Sequence, residues 1–222
     1  MRSKEKRSLL QWFCLSGVLG LIFYILHMVL GAMYYPGYDW MRQAVSDLTA
    51  VNAPSREIAN SFSDIYSLCS TVCCTLVCVM IQGKGNRLLR IGIDLFTAMN
   101  WISAIGYSLF PLSDSGYAGT LQDIMHVYVI TILVVVLSIV SLILIFAAGF
   151  PDHKKYISLG IFAVIALSCM LIGAVGTGLV PKAYFGIAER FSTISAVAFT
   201  AILGLYGFTF FDIIEKTNKP LL

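Results

Sequence analysis

Seven ionisable residues sit where burying charge costs most. His27, Asp64, Asp123, His126, Glu189 and Arg190 fall inside or at the ends of long apolar stretches, and Asp47 lies in the segment joining the first two. An isolated ionised group in hydrocarbon costs several kcal/mol, so such residues should face protein or water. Asp123 and His126 are one helical turn apart, a spacing that lets a carboxylate orient an imidazole. His126 with Asp47 or Asp123 could act as general base and partner. His27 and His126 with Asp47, Asp64 and Asp123 could also supply the ligands of a metal-dependent intramembrane hydrolase. As binding groups, Asp47, Asp64, Asp123 and Glu189 favour a cationic or hydroxyl-bearing ligand.

Each residue also has a structural reading. Thr120 and Asp123 have capping-box spacing. Glu189 is favourable at a helix N-terminus, and Arg190 can snorkel to the interface. His27, roughly 10 Å below its helix end, can be a hydrogen-bonded core histidine. Asn100, near mid-membrane, is expected to bond across helices. Asp94 is expected to pair with Arg90 one turn away. Cys69, Cys73, Cys74 and Cys78 fall into two pairs on opposite sides of one helix, which suits packing rather than a tetrahedral metal. Haem held by His27 and His126 lacks a supporting motif, and no HExxH, GxSxG or P-loop is present. No metal is assigned, and the cofactor is unknown.

The elements that must position these groups follow from composition. The chain has 222 residues, 58% of them hydrophobic and 12% charged, with a mean hydropathy of +0.83. Soluble domains are nearer one quarter charged. Apolar stretches at about 9–34, 61–82, 88–109, 123–148, 153–179 and 188–213 each meet the roughly 20-residue requirement of a membrane span. The fold expected is an all-α bundle of six transmembrane helices forming one domain. The lipid bilayer is its partner, with a small molecule or lipid headgroup as ligand. The net charge of +3 shows no basic run that would suit nucleic acid.

Positive charge gives an orientation. Arg2, Lys4, Lys6, Arg7, Lys84, Arg87, Arg90, Lys154, Lys155, Lys216 and Lys219 fall on one side; Arg42, Arg56, Lys182 and Arg190 fall on the other. The positive-inside rule then places both termini in the cytoplasm. The basic start followed by a long apolar run reads as a retained helix rather than a signal peptide.

Three spans carry small or polar stripes at about 100° per residue. His27 shares a face with Ser16, Gly20, Tyr24, Gly31 and Tyr34. Asp64 shares one with Asn60, Ser67 and Thr71, and Glu189 with Thr193, Ala196 and Thr200. Such faces turn toward other helices. Residues 35–60 form the longest connection, at about 26 residues, and loops of this length are often functional. Within it, Trp40, Met41, Ala44, Val45 and Leu48 predict the apolar face of a short interfacial helix. Tyr34, Tyr35, Tyr38 and Trp40 would form an aromatic belt.

Five short motifs recur at the same ends of the spans: Tyr35-Pro-Gly-Tyr-Asp39, Ser46-Asp47-Leu48, Phe110-Pro111, Asp123-Ile-Met-His126 and Gly186-Ile-Ala-Glu189-Arg190. Through them the chain resembles the prokaryotic six-helix membrane family known as domain of unknown function 998. The resemblance covers nearly the whole chain and implies a polytopic membrane protein, with no established activity. It favours Asp47, His126 and Arg190 as residues to test.

Three functions fit the sequence. The first is binding or transport of a small molecule or lipid headgroup in an outward-facing polar pocket. Its walls would be the outer ends of helices one, two, four and six, and the Ser46-Asp47 segment would be a lid. The second is an intramembrane enzyme acting on lipid-like substrates. The third is an accessory or scaffold protein that uses its stripes for partner helices.

Overall fold

A computed structural model describes residues 7–149 and 156–209. Arg2, Lys4 and Lys6, the connection with Lys154 and Lys155, and the C-terminal Lys216 and Lys219 lie outside the described residues. Six helices are long and apolar enough to cross a membrane: α1 (Leu9–Met33), α2 (Arg56–Ile81), α3 (Arg87–Leu109), α4 (Leu121–Gly149), α5 (Ile157–Leu179) and α6 (Lys182–Thr209). Among the described residues there is no strand.

The helices form a ring. Each packs on the next in sequence, and α1 closes the ring against α6; α2 also touches α6 across it. Small residues allow the close approaches. A Cβ on Gly17 would lie 2.6 Å from Cys73 Sγ and 2.8 Å from the Thr200 carbonyl oxygen, so α1, α2 and α6 meet there at backbone distance. Cys73 uses the contact to donate its thiol to the Cys14 carbonyl at 3.3 Å.

Apolar packing is uneven along the bundle. The largest core joins Cys14, Val77, Ile81, Leu89, Phe96, Leu142, Ile145, Leu159, Phe199 and Leu203, all toward the end that carries Arg7 and Thr209. The other end, here the loop end, has only two small clusters, around Tyr24, Val45 and Val197 and around Ala50, Ala53 and Leu112. The loop end is therefore where polar groups have room.

Three sequence expectations are corrected. Helix α2 begins at Arg56, not near residue 61. Its polar opening turns are helical because Ser55 and Ala59 continue the backbone ladder, with Ala59 N–H donating to the Ser55 carbonyl at 2.8 Å. Asn100 donates to Phe96 on its own helix at 3.0 Å, the nearest free carbonyl lobe, rather than across the bundle. An oxygen of Asp94 takes the Cys78 thiol of α2 at 3.1 Å and Gln82, the C-cap of α2, at 3.1 Å, instead of the expected Arg90.

The predicted interfacial helix at Trp40–Leu48 does not form. Residues 39–43 make a turn, followed by one short 3-10 helix, Ser46–Thr49. Side chains have taken the backbone groups that a helix would use internally. Ala44 N–H donates to Asp47 Oδ2 at 3.0 Å and Val45 N–H to Glu189 Oε2 at 2.9 Å, instead of to carbonyls one turn back. Competition of this kind is why Asp disfavours helix interiors. Tyr34 and Trp40 are exposed as a belt would be, but Tyr38 is drawn inward.

Candidate functional site

Residues 38–47 form a strap bound to the start of α6. The Glu189 carboxylate accepts Val45 N–H at 2.9 Å. Arg190 Nη1 donates to the Gln43 carbonyl at 2.9 Å and to Gly186 at 2.8 Å, and Nη2 donates to the Tyr38 hydroxyl at 2.7 Å. Tyr38 then donates to the Ala44 carbonyl at 2.7 Å. Burial pushes the Tyr38 hydroxyl up to about 12, against the pull of Arg190, so it stays a donor at neutral pH. Gly186 is needed because the strap crosses it directly: a Cβ there would press into the carbonyl oxygens of Gln43 and Trp40. Glu189 and Arg190 are therefore clamps on the strap.

Asp47 fastens the strap at its other end. Its carboxylate accepts Ala44 N–H at 3.0 Å and Gly116 N–H at 2.9 Å. The Asp47 carbonyl accepts Ser115 Oγ at 3.3 Å, and Tyr35 donates to the same hydroxyl at 2.8 Å. These bonds tie the strap to the 110–120 connection between α3 and α4. Asp47 is only 4% exposed. Burial raises its pKa from the ordinary aspartate value, a shift opposed by the two N–H donors and by nearby Arg190 and His126.

Asp123 makes the capping box expected with Thr120, whose hydroxyl accepts Asp123 N–H at 3.2 Å. Its oxygens also accept Ser113 N–H at 2.7 Å and the Ser113 hydroxyl at 2.8 and 2.9 Å. It holds the α3–α4 connection against the top of α4. His126 turns away from it: Nδ1 donates to the Phe110 carbonyl at 2.7 Å, and the ring lies 4.7 Å from that of Tyr107. Donation from Nδ1 leaves Nε2 as the acceptor nitrogen.

His126 belongs to a π-helical segment of α4, Met125–Thr131. Thr131 Oγ1 caps the widened turn by donating to the His126 carbonyl at 2.8 Å. Segments of this kind concentrate at functional sites.

The remaining expected residues do not join this group. His27 Nδ1 donates to the Ala59 carbonyl at 3.0 Å and is buried between α1 and α2. Asp64 is exposed on α2. Among the described residues no three His, Cys, Asp or Glu side chains are grouped to hold a metal ion.

A hollow of about 800 Å³ opens between the strap and the α3–α4 connection. It is lined by Asp39, Arg42, Gln43, Ser46 and Asp47 from the strap, and by Ser115, Gly116 and Tyr117 from the connection. Val127 and Tyr128 of α4 and Phe185 of α6 complete it. Its volume is within the roughly 300–1,000 Å³ of small-ligand sites. Of the seven residues singled out from sequence, Asp47 lines it. Helices α1 and α2 contribute no lining residue, whereas the sequence expected the outer ends of both as walls.

Ser115, Tyr117 and Tyr128 were not singled out from sequence. The Gly-rich run Ser115-Gly-Tyr-Ala-Gly119 held the signal, since Gly116, Tyr117 and Gly119 all have left-handed φ, at 80°, 52° and 81°. A left-handed tyrosine is uncommon. Here its ring meets Tyr128 edge-on at 5.9 Å.

The family model described as Protein of unknown function (DUF998) matches residues 18–206. No curated protein and no solved structure matches the chain. The matched region contains both clamps, the strap, the α3–α4 connection and most of all six spans, so the chain belongs to the DUF998 family of membrane proteins of unknown function.

Proposed function

We propose that this protein binds or transports a small molecule or lipid headgroup in the hollow between the strap and the α3–α4 connection. The observation that carries the reading is Asp47, a buried carboxylate on the wall of a polar hollow whose opposite charge, Arg42, stands on the same strap. A cation beside acids suits a ligand carrying both an amine and a phosphate. The hydroxyls of Ser46, Ser115, Tyr117 and Tyr128 suit a hydroxyl-bearing one. The tyrosine rings offer faces for a cationic group.

The hollow faces outward in this reading. The cation asymmetry supports placing both termini in the cytoplasm, and the packing of each helix on the next supports a single domain, which we place in a prokaryotic plasma membrane. The test is saturable binding of glycerophosphoethanolamine or glucose to the purified protein, measured alongside thermal melting. Asp47→Asn and Tyr128→Ala should weaken binding while the protein still melts cooperatively. Unchanged binding in both would remove the hollow as the site.

A further inference from the structure

A second hollow lies on the opposite side of the strap, within the spans. It is a groove of about 490 Å³ between α5 and α6, walled by Phe162, Ile165, Phe191, Ile194 and Ile202. At its loop end stand Trp40 and Arg190. From Arg190 to Ile202 is twelve residues of helix, or roughly 18 Å. One leaflet of hydrocarbon is about 15 Å deep, half of the usual core. The groove is therefore about as long as one leaflet is deep.

We infer that this groove holds one acyl chain of an anionic phospholipid from the bilayer, with the phosphate at the level of Arg190 and Trp40. Three observations favour that occupant. The walls belong to membrane-spanning helices, so the surrounding medium is lipid. The groove is apolar along its length and cationic at one end, the polarity order of an anionic amphiphile. The hydrogen bonds of Arg190 go to neutral oxygens of Gln43, Gly186 and Tyr38 rather than to a carboxylate, so even beside Asp47 and Glu189 its guanidinium can attract a phosphate. The groove is separate from the polar hollow: Ile187 faces one and Phe185 the other, and the proposal stands whether or not the hollow binds a ligand.

Trp40 provides the probe. The chain has three tryptophans, so Trp12→Phe with Trp101→Phe leaves Trp40 alone to report. This variant is placed in phosphatidylcholine vesicles carrying rising fractions of phosphatidylglycerol with brominated chains, which quench tryptophan on contact. Quenching should be half complete at a mole fraction at least threefold below that needed with brominated phosphatidylcholine. Arg190→Gln should remove the preference for the anionic lipid. Because Arg190 also clamps the strap, Ala198→Phe, which fills the groove and leaves the clamp alone, should remove the excess quenching by itself. Quenching that follows the bulk mole fraction for both lipids would overturn the proposal, as would excess quenching that survives Ala198→Phe. A doubled particle mass in nanodiscs with Trp40 shielded would also overturn it, by showing a second copy over the groove.

Discussion

Glu189 accepts the backbone N–H of Val45 at 2.9 Å, across 144 residues of chain. This bond and those of adjacent Arg190 convert a segment with a single short 3-10 turn into a fixed wall of the polar hollow. Hydrogen bonds to charged groups contribute about 1.5–3 kcal/mol. Glu189→Ala should therefore lower stability by about 2 kcal/mol, read as a fall in melting temperature. Glu189→Gln, which keeps an acceptor oxygen, should lose less. Equal losses in the two variants would show that the acceptor is not what matters.

The strap carries its own protease reporter. Arg42 is exposed on it, and a clamped segment resists cleavage because cutting requires local opening. Arg190→Gln should raise the rate of tryptic cleavage at Arg42 by at least tenfold, the equivalent of about 1.4 kcal/mol of lost clamping. Gly186→Ala should do the same without changing any charge, because its Cβ displaces the Gln43 and Trp40 carbonyls. Cleavage at the parental rate in both variants would contradict the clamp.

Asp47 makes stability depend on pH. Its folded pKa is raised, chiefly by burial, so the folded protein holds this proton more tightly than the unfolded chain does. The associated stabilisation is fully present below the unfolded value of about 3.9. It is lost as pH rises through the folded value. Arg190, His126, Tyr38 and Glu189 all act on this carboxylate or share its surroundings. Melting temperatures taken from pH 3 upward should fall over that window in the parent protein, and Asp47→Asn should flatten that part of the profile. A profile unchanged by the substitution would assign the dependence to another group.

Tyr117 should separate binding from stability. A non-glycine residue in the left-handed region costs on the order of 1–3 kcal/mol. Tyr117→Gly removes that cost but also the ring that meets Tyr128. Melting temperature should hold or rise, while affinity for a ligand of the hollow falls. A lower melting temperature would mean that the ring contact outweighs the backbone strain.

The six spans were legible because a long apolar run has few alternatives, and the structure departs from the expected boundaries mainly at the starts of α2 and α6, both earlier than expected. The Thr120–Asp123 capping box was legible because it is local. What sequence periodicity misread was the strap. Trp40, Met41, Ala44, Val45 and Leu48 have helical spacing, but Glu189, Arg190 and Asp47 compete for the backbone from positions that spacing does not reveal. The α3–α4 connection was passed over for a similar reason. Ser115 and Tyr117 line the hollow only because glycine-permitted φ values fold that connection back onto the strap.

Saturation-transfer NMR on the detergent-solubilised protein, titrated with glycerophosphoethanolamine and with glucose, tests the polar hollow most directly. Saturable binding of at least one, weakened tenfold or more by Asp47→Asn while that variant still melts cooperatively, is the predicted result. Tenfold corresponds to about 1.4 kcal/mol, just under the about 1.5–3 kcal/mol of one charged hydrogen bond. No saturable binding of either probe, or identical binding by Asp47→Asn and Tyr128→Ala, would contradict the assignment of the hollow as a ligand site.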